Sequence, residues 1–234
     1  MPVHAITERA ALEAERPLPA TPTAADADRS SEWSCRALDI VVAVVLLVVL
    51  APLLIVVALA VKLDSHGPVL FRQRRLGRNI EIFTVHKFRT MEDGVTEDQH
   101  RAFVTGLISG ADAGAGARYK MTEDPRVTRI GRFLRRASID ELPQLWNVLR
   151  GDMSLVGPRP PIAYEVEQYP AHWFARFAVK PGVTGLWQVN GRSDVTLEEM
   201  VRLDVEYIHR RSFWLNLSIL ARTVPAVLTA RGAW

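Results

Sequence analysis

The sequence of 234 residues contains a single cysteine, Cys35, and its six histidines are scattered along the chain. One thiol excludes an intramolecular disulfide framework and a structural zinc site built on cysteines. No two histidines have the spacing that would place both on one face of a helix, which argues against a zinc enzyme. The chain also lacks the two common glycine-rich motifs that bind phosphate, GxGxxG and GxxxxGK[ST].

Charge and hydropathy are distributed unevenly along the chain. Residues 40–61 form 22 consecutive positions without a charged or hydrogen-bonding side chain. Residues 1–39 carry four basic and seven acidic side chains, whereas residues 62–234 carry 25 basic and 19 acidic ones. Overall, 48% of the residues are hydrophobic and 24% are charged, which is typical of a folded protein. A basic body beside an apolar segment indicates anionic partners such as lipid headgroups or phosphates.

The apolar run is long enough to act as a membrane anchor. As a straight helix it would measure about 33 Å, against a bilayer core of about 30 Å. Pro52 lies near its middle and predicts a kink, because proline removes a backbone hydrogen bond. Two structures remain open: a kinked helix that spans the bilayer, which physical reasoning alone favours, and a helix–break–helix that returns to the same face. More basic residues follow the run than precede it, so the body is expected in the cytoplasm.

The remaining pattern predicts an α+β protein that is mostly helical, with a small β-hairpin and interfacial amphipathic helices. Proline-rich residues 1–33 predict a disordered tail, residues 34–62 a membrane-embedded helix broken at Pro52, and residues 63–234 the folded body. Alternation predicts hairpin strands at Val69–Phe71 and Ile80–Val85. Helices are expected at 127–136, 141–149, 163–178, 196–209 and 213–229. The last of these is equally compatible with buried core and with the headgroup layer.

The densest group of polar residues lies at 132–161. There Asp140 and Glu141 are adjacent carboxylates, closely preceded by several arginines. Ser138 and Glu141 match a capping box, but Pro143 favours Asp140 as the N-cap of the next helix. Capping alone and a catalytic role therefore both remain open. The GPRPP turn that follows presents Arg159 between prolines, which suits phosphate binding, although a plain turn would look the same.

Three segments resemble a known family: KFRTM (87–91), residues 124–161 and KPGVTGLWQVNGRSD (180–194). They closely resemble the monotopic phosphoglycosyl transferases, bacterial sugar transferases also called polyprenyl-phosphate sugar-1-phosphate transferases. The resemblance implies transfer of sugar-1-phosphate from a UDP-sugar to undecaprenyl phosphate, with release of UMP. It places this reaction at the cytoplasmic face of the bacterial inner membrane, as the first membrane step of exopolysaccharide or capsule assembly. The long segment 92–120 resembles the hexose-transferring members, so glucose or galactose is expected.

The resemblance also implies roles for individual residues. Asp140 matches the family's nucleophile, which forms a phosphosugar intermediate in a ping-pong cycle, and Glu141 matches its partner at the Mg²⁺ ion. Phosphate-binding positions of the family fall on Lys87, Arg135, Arg159 and Arg192. A further polar site position falls on Asp204. The family resemblance favours the re-entrant hairpin over the spanning helix, although Ala51 stands where the family often has serine before the proline.

A second class of function fits the anchor and the basic body alone. A non-catalytic scaffold that binds anionic lipid or assembly partners would need neither Asp140 nor Glu141. Nucleic acid is not an expected partner, because no recognised groove-reading motif occurs in the sequence. Membrane lipid is expected to contact the chain, and downstream glycosyltransferases and a homo-oligomer are compatible with the resemblance.

Overall fold

The computed structural model of the protein describes residues 29–92, 101, 105–106, 126–191 and 195–229. The first 28 residues of the predicted tail, most of segment 92–120 and Arg192 lie outside them. The helices are α1 (Arg29–Val49), α2 (Ala51–Asp64), α3 (Arg129–Arg136), α4 (Gln144–Arg150), α5 (Ala163–Val166), α6 (Leu186–Asn190), α7 (Leu197–Arg210) and α8 (Phe213–Leu228). The strands are β1 (Leu70–Leu76), β2 (Ile82–Phe88), β3 (Ser154–Val156) and β4 (Gly182–Thr184). The prediction of a mostly helical protein with a small antiparallel hairpin is confirmed.

The apolar run forms two helices rather than one. Helices α1 and α2 meet at Leu50 and are bent by 64° relative to each other. Pro52 lies in the first turn of α2, where a missing backbone N–H leaves no hydrogen bond unmade. None of the described helices is by itself long and apolar enough to cross a membrane, and this bent pair meets that test by length and composition only.

Both outer ends of the bent pair are attached to the same body. In α1, Arg36 donates hydrogen bonds to the carbonyl oxygens of Val148 and Leu149 at the end of α4, at 2.7 and 2.9 Å. One turn later the Asp39 carboxylate accepts from the Leu155 backbone N–H in β3, at 2.8 Å. At the other end, the Asp64 carboxylate of α2 accepts from the first turn of α3 at 3.1 Å. The segments between these attachments carry large exposed apolar side chains, among them Val41, Val45, Val48, Val49, Ile55, Val56 and Leu59.

The hairpin is longer than the sequence predicts. Strands β1 and β2 have seven residues each and pair antiparallel, with Leu76 opposite Ile82. The predicted strands Val69–Phe71 and Ile80–Val85 were therefore too short and ill-placed. The basic run in β1 obscured the pattern, because Arg75 lies on the buried side of the strand and is only 9% exposed.

A second, parallel sheet was not predicted from the sequence. It joins β3 to β4, with Ser154 opposite Gly182. The connection between them contains α5 and a 3-10 helix at Ala171–Ala178, where the sequence predicted one helix over 163–178. That prediction was wrong because Pro170, which directly precedes the 3-10 helix, interrupts the helical hydrogen bonds. The core lies between these sheets, α4, α7 and α8, and its fully buried members include Val148, Met153, Val156, Tyr169, Met200, Tyr207 and Ile219.

Candidate active site around Asp140 and Glu141

The adjacent carboxylates lie in a short 3-10 turn between α3 and α4. This turn comprises Ile139–Glu141, and Ser138 before it has a left-handed φ of 55°, which is uncommon for a residue other than glycine. No side-chain cap is formed at the turn or at the start of α4, whose N-cap residue is Pro143. The predicted N-cap role of Asp140 is therefore wrong, because α4 begins only after the proline ring. Asp140 is 9% exposed.

A buried asparagine brings this turn next to the hairpin. Asn147 in α4 is fully buried, and its Nδ2 donates to the carbonyl oxygen of Thr84 in β2 at 2.7 Å. Its Oδ1 accepts from the backbone N–H of His86 at 3.1 Å. These bonds fix α4 against β2, so the turn before α4 lies beside Lys87. The Lys87 ammonium donates to Glu141 Oε1 at 2.5 Å, and both side chains are about one-third exposed.

An open cavity of about 170 Å³ lies in front of the Lys87–Glu141 pair. Its wall contains the charged side chains of Arg75, Lys87, Glu141 and Arg159. The rest of the wall includes Ser138 and all three residues of β4. Among the described residues of this wall, three cations stand against one carboxylate, which favours an anionic ligand such as a phosphate.

Two buried arginines hold the GPRPP turn that carries Arg159. Arg75 Nη1 donates to the carbonyl oxygen of Pro160 at 2.7 Å. Arg176 Nη2 donates to the carbonyl oxygen of Arg159 itself at 3.2 Å. The Arg159 side chain lies near the carboxylate of Glu165, with Nη1 and Oε2 3.4 Å apart. Two successive backbone carbonyls of the turn are thus bonded to buried arginines, while the Arg159 side chain lies in the cavity wall.

Of the other predicted site residues, the two that the structure describes do not line the cavity. Asp204 in α7 is 1% exposed and absent from the cavity wall; it accepts from Arg176 Nη2 at 2.6 Å. Burial raises the pKa of Asp204 to about 6, and the neighbouring Arg176 opposes that rise. Arg135 donates through Nε to Thr90 Oγ1 at 2.9 Å and does not line the cavity. Arg192 lies outside the described residues.

Sequence reasoning missed Arg75, Arg176 and Glu165 as parts of this arrangement. Arg176 stands among aromatic residues in the sequence HWFARFA, and an arginine in such an apolar stretch is usually paired when it is buried. Glu165 is likewise 1% exposed. A charged residue within an otherwise apolar segment was the signal available for both.

The surroundings of Asp140 and Glu141 decide how a metal ion could bind there. Within the part of the chain that the structure describes, no group of three or more histidine, cysteine, aspartate or glutamate side chains is arranged to hold a metal ion. Mg²⁺ is often bound by only one or two protein carboxylates, with water and substrate oxygens as its other ligands.

Comparison with known proteins identifies the family. The model of the family described as bacterial sugar transferase matches residues 30–230. The chain belongs to this family. The resemblance seen in the three sequence segments is thereby confirmed, and the match covers every described helix and strand but the first residue of α1.

Several curated sugar transferases are similar to this chain. It is 45% identical over 210 residues to a UDP-glucose:undecaprenyl-phosphate glucose-1-phosphate transferase of Caulobacter vibrioides, covering 85% of this chain and 71% of that protein. It is 40% identical over 208 residues to an undecaprenyl-phosphate galactose phosphotransferase of Salmonella typhimurium, covering 89% of this chain and 43% of that one. It is 42% identical to the galactosyl transferase CpsE of Streptococcus agalactiae over 85% of this chain and 43% of CpsE. The chain thus spans less than half the length of some relatives it matches.

Proposed function

We propose that this protein transfers a hexose-1-phosphate from a UDP-hexose to undecaprenyl phosphate and releases UMP. The observation that carries the proposal is the Lys87–Glu141 pair, whose Glu141 directly follows Asp140 in the chain and which lies in a cavity wall whose described residues include three cations and one carboxylate. Relatives of this chain are named for glucose and galactose transfer to undecaprenyl phosphate, which supports the choice of substrates. Glucose and galactose are therefore the sugars to test first.

In the first step, a carboxylate oxygen of Asp140 attacks the phosphorus that carries the sugar. The bond between this phosphorus and the bridging oxygen of the diphosphate breaks, and UMP leaves with that oxygen. A carboxylate and a diphosphate repel each other, so nearby cations must offset several negative charges. Lys87 and Arg159 lie in the wall and supply this charge. The family resemblance alone assigns Arg135, which bonds to Thr90 away from the wall, and Arg192 to the same phosphate-binding group.

In the second step, a phosphate oxygen of undecaprenyl phosphate attacks the same phosphorus. The bond between phosphorus and Asp140 breaks, which restores the carboxylate and leaves the sugar on an undecaprenyl diphosphate. Dividing the transfer into two steps allows UMP to leave before the lipid enters. One cavity can then serve a water-soluble donor and a membrane-bound acceptor in turn.

The residues present fit a magnesium ion. Mg²⁺ is commonly held by one or two carboxylates together with substrate phosphates, rather than by a complete cage of protein ligands. Glu141 lines the cavity and Asp140 precedes it directly, so we propose that these two carboxylates hold the ion. When bound, the ion supplies positive charge to the diphosphate oxygens and to the departing UMP. The contact with Lys87 keeps the Glu141 side chain at the cavity wall.

The bent helix pair supports a re-entrant membrane anchor. Arg36 and Asp39 near the start of the pair and Asp64 at its end bond to one and the same body. A segment that crossed the bilayer would place its two ends on opposite sides of the membrane. Here both ends bond to the folded body, which supports a segment that enters and leaves on one side. We propose that the pair dips into the inner membrane from the cytoplasmic face, where the exposed apolar side chains of α1 and α2 contact lipid.

A UMP-release assay tests the reaction. Detergent-purified protein is given Mg²⁺, undecaprenyl phosphate and either UDP-glucose, UDP-galactose or UDP-N-acetylglucosamine. We expect release with one hexose donor, abolished in the Asp140→Asn variant and retained in Glu198→Gln, which alters an exposed carboxylate of α7. Folded protein that releases no UMP from any donor, while still binding anionic lipid vesicles, would favour the non-catalytic scaffold instead.

A further inference from the structure

A chain of buried polar contacts connects Asp204 to the arginine in the cavity wall. The Asp204 carboxylate accepts from Arg176 Nη2 at 2.6 Å, and the same nitrogen donates to the carbonyl oxygen of Arg159 at 3.2 Å. Arg176 Nη1 donates to the hydroxyl oxygen of Tyr169 at 3.0 Å. Asp204 and Tyr169 are each only 1% exposed, and the Arg176 side chain is also 1% exposed.

We propose that Asp204, Arg176 and Tyr169 form a clamp that positions Arg159 for the phosphates of the sugar-nucleotide donor. This inference rests on the proposed function, because it assigns Arg159 to the donor. Asp204 is then a positioning residue, which acts on the substrate through Arg176 and Arg159 and does not touch it.

The electrostatics of the turn explain why a buried carboxylate is needed. Arg176 and Arg75 donate to two successive carbonyl oxygens of the turn, and Arg159 itself adds a third guanidinium. A buried cation without an opposite charge is strongly destabilising. Asp204 supplies that charge to Arg176, and the fully buried carboxylate of Glu165 lies beside Arg159. Since the pKa of Asp204 is about 6, its carboxylate is ionised at neutral pH and the pair with Arg176 is intact.

The clamp and Glu165 together restrict the freedom of Arg159 in an open cavity. An arginine side chain loses considerable rotamer freedom when it binds a ligand. Fixing the backbone carbonyl through Arg176 and the guanidinium through Glu165 removes part of that cost before the donor arrives. Loss of the clamp is therefore expected to weaken donor binding without removing any group that contacts the donor.

Binding of UDP, the part that all candidate donors share, tests the clamp. The parent is the otherwise unaltered protein with Mg²⁺, since UDP carries no sugar-1-phosphate to transfer, and the affinity is measured by calorimetry. We expect Asp204→Asn to weaken UDP binding about tenfold, within the range for loss of a charge-assisted hydrogen bond. Arg159→Gln should weaken it by at least as much, whereas Glu199→Gln, an exposed carboxylate on the same helix, should have no effect.

The combination of Asp204→Asn with Arg159→Gln separates positioning from general damage. If Asp204 acts through Arg159, the double variant should bind UDP no more weakly than Arg159→Gln alone. An additional loss in the double variant, or unchanged affinity in Asp204→Asn, would overturn the clamp. A parent protein that does not bind UDP would overturn the proposed donor site, and the clamp with it.

A more conservative substitution tests the clamp if Asp204→Asn does not fold. Tyr169→Phe removes one acceptor of Arg176 but keeps the ring that packs edge-on against Trp173 at 5.0 Å. If thermal unfolding shows that Asp204→Asn is not folded, Tyr169→Phe takes its place in the same cycle. A loss of about threefold in UDP affinity is expected, smaller than for Asp204→Asn because Arg176 keeps its pair with Asp204. Unchanged affinity in this folded variant would contradict the clamp.

Discussion

Replacing Gly182 by alanine should open the small parallel sheet and displace the arginine turn. A Cβ atom at this position would lie 2.0 Å from the backbone nitrogen of Gly157 and 2.4 Å from the carbonyl oxygen of Thr184. Because both neighbours are backbone atoms, the two segments must separate. Besides the ladder of β3 and β4, three backbone hydrogen bonds hold them together: Gly157 N to Thr184 O, Gly182 N to Pro158 O and Ser154 N to Pro181 O. At about 1 kcal/mol each, their loss costs about 3 kcal/mol.

Thermal unfolding in detergent, followed by tryptophan fluorescence, measures this cost. For a protein of this size, about 3 kcal/mol corresponds to a decrease in Tm of about 6–12 °C. Gly77→Ala is the matched control, because a Cβ there would meet the ring of Phe83 at 3.2 Å and the Glu81 carbonyl oxygen at an ordinary contact distance of 3.5 Å. It should change Tm by a few degrees at most. UMP release should also fall in Gly182→Ala, since the GPRPP turn carries Arg159. Equal Tm values for the two glycine variants would refute the reasoning.

Three further predictions concern the site and its support. Asn147→Ala removes the buried side chain that bonds to the Thr84 carbonyl and the His86 N–H. Tm should fall by about as much as in Gly182→Ala, and an unchanged Tm would contradict the role given to Asn147. Lys87→Met removes the cation beside Glu141 and should slow UMP release about a hundredfold, whereas Lys87→Arg should retain more activity; equal rates in the two variants would argue against a charge effect. Burial raises the pKa of Asp204 to about 6, so ionising this carboxyl group costs more in the folded than in the unfolded protein, although Arg176 offsets part of the cost. The free energy of unfolding should therefore fall as the pH rises from about 4 to about 6. The Tm difference between wild type and Asp204→Asn should follow this course between pH 4 and 7, and a constant difference would show that Asp204 does not titrate in this range.

The sequence motifs predicted which residues belong to the site, but they did not predict how these residues are arranged. Asp140, Glu141 and Lys87 were all selected from sequence segments that resemble the family. The contact between Lys87 and Glu141, 54 positions apart, depends on Asn147 and its bonds to β2. No pattern in the sequence distinguishes an asparagine that joins a helix to a strand from one that faces solvent.

Asp204 shows where a sequence pattern was available but was not used. On α7 it shares a face with Met200, Val201 and Tyr207, all of which are buried. Positions three and four residues apart lie on the same side of a helix, so an aspartate among them is expected to be buried and paired. The family resemblance alone assigned it to a polar site, whereas the structure places its side chain against Arg176.

The parallel sheet could not be predicted for a different reason. Strands β3 and β4 have only three residues each, too few for an alternating pattern to stand out. Their pairing depends on the close backbone approach that Gly157 and Gly182 allow. Both glycines occur in segments rich in turn signals, so the sequence indicates loops where the structure has a sheet.

The mass of the intact protein tests the central claim most directly. Protein mixed with Mg²⁺ and UDP-glucose or UDP-galactose, without undecaprenyl phosphate, should gain the mass of one hexose phosphate and release one equivalent of UMP. Peptide mapping should place the addition on Asp140, and undecaprenyl phosphate should remove it. Asp140→Asn should gain no mass. Full turnover without any covalent adduct, or an adduct on another residue, would contradict the nucleophilic role of Asp140.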